Sequence, residues 1–104
     1  MIVYNITFHI DKTVLEETLT YLKGSYIPRA AASGFLLNPC LRRVMHTPDE
    51  EGVSYAVQFH MKNLDTLEYW VEREGRLMQE ELVRRFGNKV VGFTTLLEEI
   101  EWEQ

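Results

Sequence analysis

A chain of 104 residues, 45% hydrophobic and 26% charged, has the make-up of one ordinary globular domain. A domain of that length buries roughly 60–70% of its unfolded surface, so one core suffices without disulfide or metal staples. No apolar run approaches the roughly 18 residues that span a bilayer. The net charge of −5, from 11 basic against 16 acidic residues, argues against nucleic acid as a partner, because that binding rests on Lys and Arg neutralising phosphates.

The first element, 2–10, alternates: Ile2, Tyr4, Ile6, Phe8 and Ile10 form one face and Val3, Asn5, Thr7 and His9 the other. Period-2 patterning in β-branched and aromatic residues predicts a strand, and nothing here resembles a basic segment followed by an apolar export signal. Thr13-Val14-Leu15-Glu16 has the form of a capping box and opens a helix expected over 13–25. Gly24, Ser25 and Pro28 weaken its end, and 28–33 reads as a separate short turn closed by Gly34. Residues 35–46 read as a strand with Pro39 inside it, hence an edge strand. Cys40, the only cysteine, lies on it; a lone thiol suits a reducing, cytoplasmic setting and reads as a small buried strand residue.

The turn-like cluster 47–52 then joins this strand to 53–61, where Val53, Tyr55, Val57, Phe59 and Met61 alternate with Ser54, Ala56, Gln58 and His60. Asn63 is a plausible cap for a helix to Phe86, with Leu64, Leu67, Val71, Met78, Leu82 and Phe86 as its apolar stripe and Gly75 on the same line. Trp70, Glu74 and Leu77 fall beside that stripe, which predicts Trp70 at the rim. Gly87 stands where a helix-ending glycine belongs, and Gly52 reads as a turn residue. The last strand is expected over 89–97, followed by an acidic tail in which Ile100 and Trp102 alternate with glutamates.

Strand, helix, strand, strand, helix, strand is the split βαβ order. Right-handed crossovers give one ferredoxin-like α+β domain over 1–104, with an antiparallel sheet ordered 4-1-3-2 and two helices on one face. The aromatic and aliphatic faces of the first and third strands must meet the helices, since each such side chain contributes roughly 1.5–3 kcal/mol on burial. Base-stacking by Tyr4, Phe8, Tyr55 and Phe59, as in RNA-recognition modules, would bare that core. The opposite face is small and polar at its centre, yet Phe35-Leu36-Leu37 and Val90-Val91 are apolar on both sides. An open sheet facing water alternates more cleanly, so a second copy is the expected cover, through the polar face and the tail. In that arrangement Glu98, Glu99, Glu101 and Glu103 would meet Arg42 and Arg43 of the other copy.

The segment MIVYNITFHI, Tyr26-Ile27-Pro28, Gly34-Phe35, Gly52-Val53-Ser54-Tyr55 and Arg85-Phe86-Gly87-Asn88-Lys89-Val90 together resemble a bacterial family catalogued as domain of unknown function 4286, over nearly the whole chain. In general shape the chain is also similar to the dimeric α+β barrel superfamily, which includes small cofactor-free monooxygenases and muconolactone-isomerase-like proteins. The resemblance implies a ferredoxin-like fold and sheet-to-sheet dimers, and it brings no catalytic residue with it. Members of the family often have a histidine before the Ile-Pro step, where this chain has Tyr26.

The three histidines do not converge. His9 and His60 fall at opposite ends of neighbouring antiparallel strands, and His46 lies across the third strand from His9, whereas zinc needs ligands about 2.0–2.3 Å from one point. No metal site, phosphate loop, nucleophile–base motif or catalytic residue is expected, and no cofactor. The reading is a non-catalytic homodimeric domain with a structural, regulatory or ligand-sensing role. The alternative is a cofactor-free enzyme or metabolite binder of the dimeric α+β barrel type. Its ligand would meet Asn5, His9, Tyr26, Arg42, Gln58 and His60, with a neutral histidine as base and Arg42 or Tyr26 holding an oxyanion. Neither nucleic acid nor membrane is an expected partner.

Overall fold

The computed structural model describes residues 1–45 and 52–103, so His46, nearly all of the expected 47–52 turn, and Gln104 lie outside the described residues. β1 (Ile2–Asp11) pairs antiparallel along its whole length with β3 (Gly52–Met61), Ile2 opposite Met61 and Ile10 opposite Val53. β4 (Val90–Glu98) flanks β1, and β2 (Leu37–Arg43) flanks β3, giving the order β2-β3-β1-β4. This is the expected 4-1-3-2 sheet read from its other edge. The fold is the ferredoxin-like βαββαβ, and β2 is the predicted edge strand.

The edge strand is irregular at the place where proline sits. Register shifts between Leu37 and Cys40, and Asn38 adopts φ 51, a left-handed conformation that Asn tolerates better than most residues. Pro39 has no N–H to give to the ladder, so the bulge absorbs it. Cys40 is free and half-buried.

Two helical arms cover one face. The first runs without a break from α1 (Leu15–Tyr21) through a π-helical turn (Leu22–Tyr26) into α2 (Ile27–Ala32). The expected interruption before Pro28 is therefore absent. The wider i→i+5 turn comes where proline would otherwise clash with the preceding turn, and the chain stays helical. Its cap also differs from the expected Thr13 box. Asp11 caps a 3-10 turn, Lys12–Val14, that leads into α1, accepting from Thr13 N at 2.8 Å and from the Thr13 hydroxyl at 2.6 Å, while Val14 at the start of α1 makes no side-chain cap bond. The short acidic side chain at the strand's end reaches the orphan donor first.

The second arm is α3 (Leu64–Trp70), a π turn (Val71–Gly75) and α4 (Arg76–Phe86). Asn63 caps it as expected, accepting from Thr66 N at 2.9 Å. The stripe differs from the predicted one: Leu64 and Val71 are exposed, and Trp70 is 1% exposed. One extra residue in the π turn rotates the face between Trp70 and Met78, so a regular 3.6-residue period assigns Trp70 to the rim wrongly. Gly75 admits the indole, since a Cβ there would lie 2.8 Å from the Trp70 ring.

The core is the expected one on the sheet side. Tyr4, Ile6, Phe8 and Ile10 with Val57, Phe59 and Met61 are buried against Leu22, Tyr26 and Ala30 of the first arm and Leu67, Trp70, Met78 and Leu82 of the second. Edge-to-face contacts lock it: Phe8 with Tyr26 at 5.6 Å and Tyr4 with Trp70 at 6.0 Å between centroids. Gly52 is a strand residue opposite Asp11 rather than a turn residue, and an added Cβ would sit 2.9 Å from the Ile10 carbonyl oxygen. Among the described residues no helix is long and apolar enough to cross a membrane.

Candidate functional site

Directly paired residues point to the same side of a sheet. The register therefore sets the face away from the helices in rows across the strands. Leu37, His60, Val3 and Leu97 form one row; Cys40, Gln58, Asn5 and Thr95 the next; Arg42, Ala56, Thr7 and Phe93 the third; Ser54, His9 and Val91 the fourth. Five of the six proposed ligand residues, Asn5, His9, Arg42, Gln58 and His60, share this face. Tyr26 does not: it is buried in the first helical arm against Phe8, with the sheet between it and the others. Burial and the neighbouring phenols of Tyr4 and Tyr21 push its hydroxyl pKa up, so it stays protonated and offers no anion.

The centre of the face is a small polar network. Arg42 Nη1 donates to Gln58 Oε1 at 2.7 Å across β2 and β3. Asn5, 8% exposed, donates from Nδ2 to Thr7 Oγ1 at 3.1 Å. Its Oδ1 is buried with no donor among the described residues. His60 lies six residue steps along the sheet from His9, about 20 Å at ~3.4 Å per residue. Its Nε2 stands 3.4 Å from Glu99 Oε1 at the root of the tail, and its Nδ1 is also buried without a partner. Among the described residues no group of three or more His, Cys, Asp or Glu side chains could hold a metal ion.

One contact escaped the sequence reading. His9 Nδ1 lies 3.0 Å from Ser54 Oγ. A hydroxyl beside an imidazole is half of a nucleophile–base arrangement. Here both residues stand opposite each other on the two central strands of the sheet. Only the cross-strand register reveals this pair, since 45 residues separate the two in sequence. The apolar frame was also only partly read: Phe93 and Leu97 join Val91 and Leu37, and the odd-numbered parity of β4 was the available signal. Phe93 is 60% exposed and Leu97 46%.

Residues 1–100 match the family described as Domain of unknown function (DUF4286). The chain belongs to this family. No curated protein matches it in sequence. Among solved structures it is similar to HapK from Hahella chejuensis, with a TM-score of 0.71 and 8% identity over 100% of this chain and 97% of that one. An antibiotic biosynthesis monooxygenase superposes with a TM-score of 0.62 at 12% identity, covering 95% of this chain and 99% of the other. A dimeric ferredoxin-like protein from an uncultured marine organism does so at 0.58 and 12%, over 98% of both chains. At these identities the likeness establishes the DUF4286 chain's fold.

Proposed function

We propose that this chain is a non-catalytic homodimeric module, structural, regulatory or ligand-sensing in role, whose copies pack open sheet face against open sheet face. The observation that carries the reading is the frame of exposed Phe93, Leu97, Val91 and Leu37 around a buried Asn5 Oδ1 that lacks a donor. A monomer gains nothing from bare aromatic and aliphatic side chains around an unsatisfied acceptor; a second copy covers the first and can supply the second. The tail adds a second contact at the sheet's edge, with Ile100 and Trp102 exposed at 70% and 77%. The dimeric ferredoxin-like neighbour supports this assembly. The lone free Cys40 supports a reducing, cytoplasmic setting.

Light scattering behind size exclusion tests the proposal. Wild type should elute with the mass of two chains, and Phe93→Arg with the mass of one, its circular dichroism unchanged because Phe93 contributes nothing to the monomer core. A wild-type monomer at about 100 μM, a concentration that populates any interface of ordinary strength, would remove the reading.

A second reading is favoured by the same orphaned acceptor. Two copies could enclose a small polar metabolite held by Asn5, Gln58 and Arg42, with His9 and His60 toward the two ends. In that case the chain is a cofactor-free binder or enzyme of the monooxygenase or isomerase type found on this fold. Against it, the surface grooves at Tyr21, Val71, Lys62 and Tyr69 are lined by none of these residues.

A further inference from the structure

On the opposite side of the sheet, the second helical arm leaves part of β4 uncovered. A groove of about 460 Å³ opens there, within the ~300–1,000 Å³ usual for small-molecule sites. One wall is a helical row, Leu67, Val71, Gly75 and Gln79; the other is Thr94 and Leu96 of β4, with Tyr4 between them. Val71 and Leu96 are 38% and 46% exposed and face this concavity from both sides. The π turn supplies Val71 and Gly75 to the lining, with the Trp70 ring packed beneath Gly75.

The polar side chains around it, Glu72 apart, can all donate. The hydroxyls of Tyr4 and Thr94 both line it. Each hydroxyl carries one O–H to give and also accepts. Burial raises the Tyr4 pKa, which keeps its proton in place. At the mouth stand the Gln79 amide and Arg76, and Arg76 makes no ion pair or side-chain hydrogen bond with the described residues. Glu72 is the one acidic side chain in the lining.

We infer that this groove binds a small apolar carboxylate, its hydrocarbon or aromatic body between Val71 and Leu96 and its acid group toward Arg76. Walls of methyl groups with a cation and spare O–H and N–H donors at the edges match that shape and no other simple ligand chemistry as well. The site is complete within one chain and stands apart from the sheet-to-sheet dimer proposed above.

Trp70 is the reporter: its ring lies under Gly75 and against Tyr4, whereas the only other tryptophan, Trp102, is exposed. In a Trp102→Phe background, titration with decanoate or naphthalene-2-carboxylate should change Trp70 emission saturably and raise the melting temperature. Arg76→Ala should weaken decanoate about tenfold while leaving decanol unchanged, and Glu72→Gln should tighten decanoate. Val71→Trp, at an exposed position that leaves the core intact, should fill the groove and abolish both ligands. Phe93→Arg should leave binding intact even where it dissociates the dimer. The inference fails if neither acid alters Trp70 emission or melting, if Val71→Trp binds normally, or if Phe93→Arg abolishes binding.

Discussion

An alanine at Gly75 would place its Cβ 2.8 Å from Trp70 Cζ3, an atom of a ring that is itself 1% exposed and has no room to move. In an ordinary helix interior, glycine to alanine gains about 1 kcal/mol. Here overpacking costs about 1–3 kcal/mol and should outweigh it, so Gly75→Ala is expected to be destabilising. The same change at Gly24, where nothing lies within 4 Å, should stabilise by up to about 1 kcal/mol. Urea midpoints distinguish the two, and Trp70→Phe, which removes the clashing ring edge, should make Gly75→Ala harmless; a Gly75→Ala effect that persists in that background would discard the close-approach account. Asp11 gives a residue-scale expectation in pH. Hydrogen bonds from the Thr13 hydroxyl and N–H hold its carboxyl below the usual range, with Lys89 and His9 nearby adding to the effect. A folded-state pKa below the unfolded one means stability that is present above the ordinary carboxylate range and lost as pH falls through the lowered value. The deficit of Asp11→Ala relative to wild type should therefore be seen at neutral pH and shrink in strong acid. An equal deficit at both would show that the carboxylate charge is not what caps this turn.

At the scale of elements, the two π turns explain what a regular period could not read. Strands were legible because period 2 tolerates no drift over ten residues: Tyr4, Phe8, Val57 and Phe59 fell on the buried face, and Asn5, His9, Gln58 and His60 on the other, as parity alone dictates. Helix phase was not, because Val71–Gly75 holds one residue more than an α-helical turn and moves Trp70 from rim to core. Tyr26 lies across the sheet from the other five candidates for a related reason: its position depends on the first π turn and on which side of the sheet that arm lies. The structure makes a test of this account. Counting from Trp70 to Met78, then Leu82 and Phe86, the core spacing is eight, four and four; one residue fewer in the first interval restores the seven-residue helical repeat. Deleting exposed Arg73 should thus yield a plain α-helix with every core contact kept and Gly75 still over Trp70. Deleting exposed Glu80 from α4, by contrast, rotates Leu82 and Phe86 out of the core and should unfold the protein or lower its melting temperature steeply. Equal damage from both deletions, read by thermal denaturation, would mean that the π turn is not the inserted residue.

The whole molecule measures 43 × 36 × 19 Å, with a radius of gyration of 14.2 Å where a compact chain of this length has about 13 Å. It is a slab of two layers, sheet and helices, with one broad face of the sheet bare. That face was anticipated from apolar residues on the flanking strands, but how two copies lie on each other is a property of pairs of surfaces and has no trace in one chain's periodicity. The tail narrows the choice. Glu99 N donates to Met1 O, so the tail continues β4 to the end of β1 and then runs past it, beyond any strand of its own chain. If 100–103 keep strand alternation, Ile100 and Trp102 fall on one side and Glu99, Glu101 and Glu103 on the other. The free edge that suits such a segment is β2 of a second copy, where Arg42 and Arg43 are exposed and Leu41 is only half-buried. A glutamate row meeting Arg42 across an added strand, with Arg43 turned to the other face, stabilises modestly when solvent-exposed, about 0.2–1 kcal/mol per pair, and more at a drier interface. Removing 99–104 should therefore weaken the dimer measurably in sedimentation equilibrium, and raising ionic strength should weaken wild type but not the truncated chain. Charge exchange gives the sharper result. Arg42→Glu also breaks the bond to Gln58, so it should loosen the dimer by itself; Glu101→Arg in the same chain should recover part of the lost affinity if tail and edge strand meet, and deepen the loss if the tail lies against some other surface.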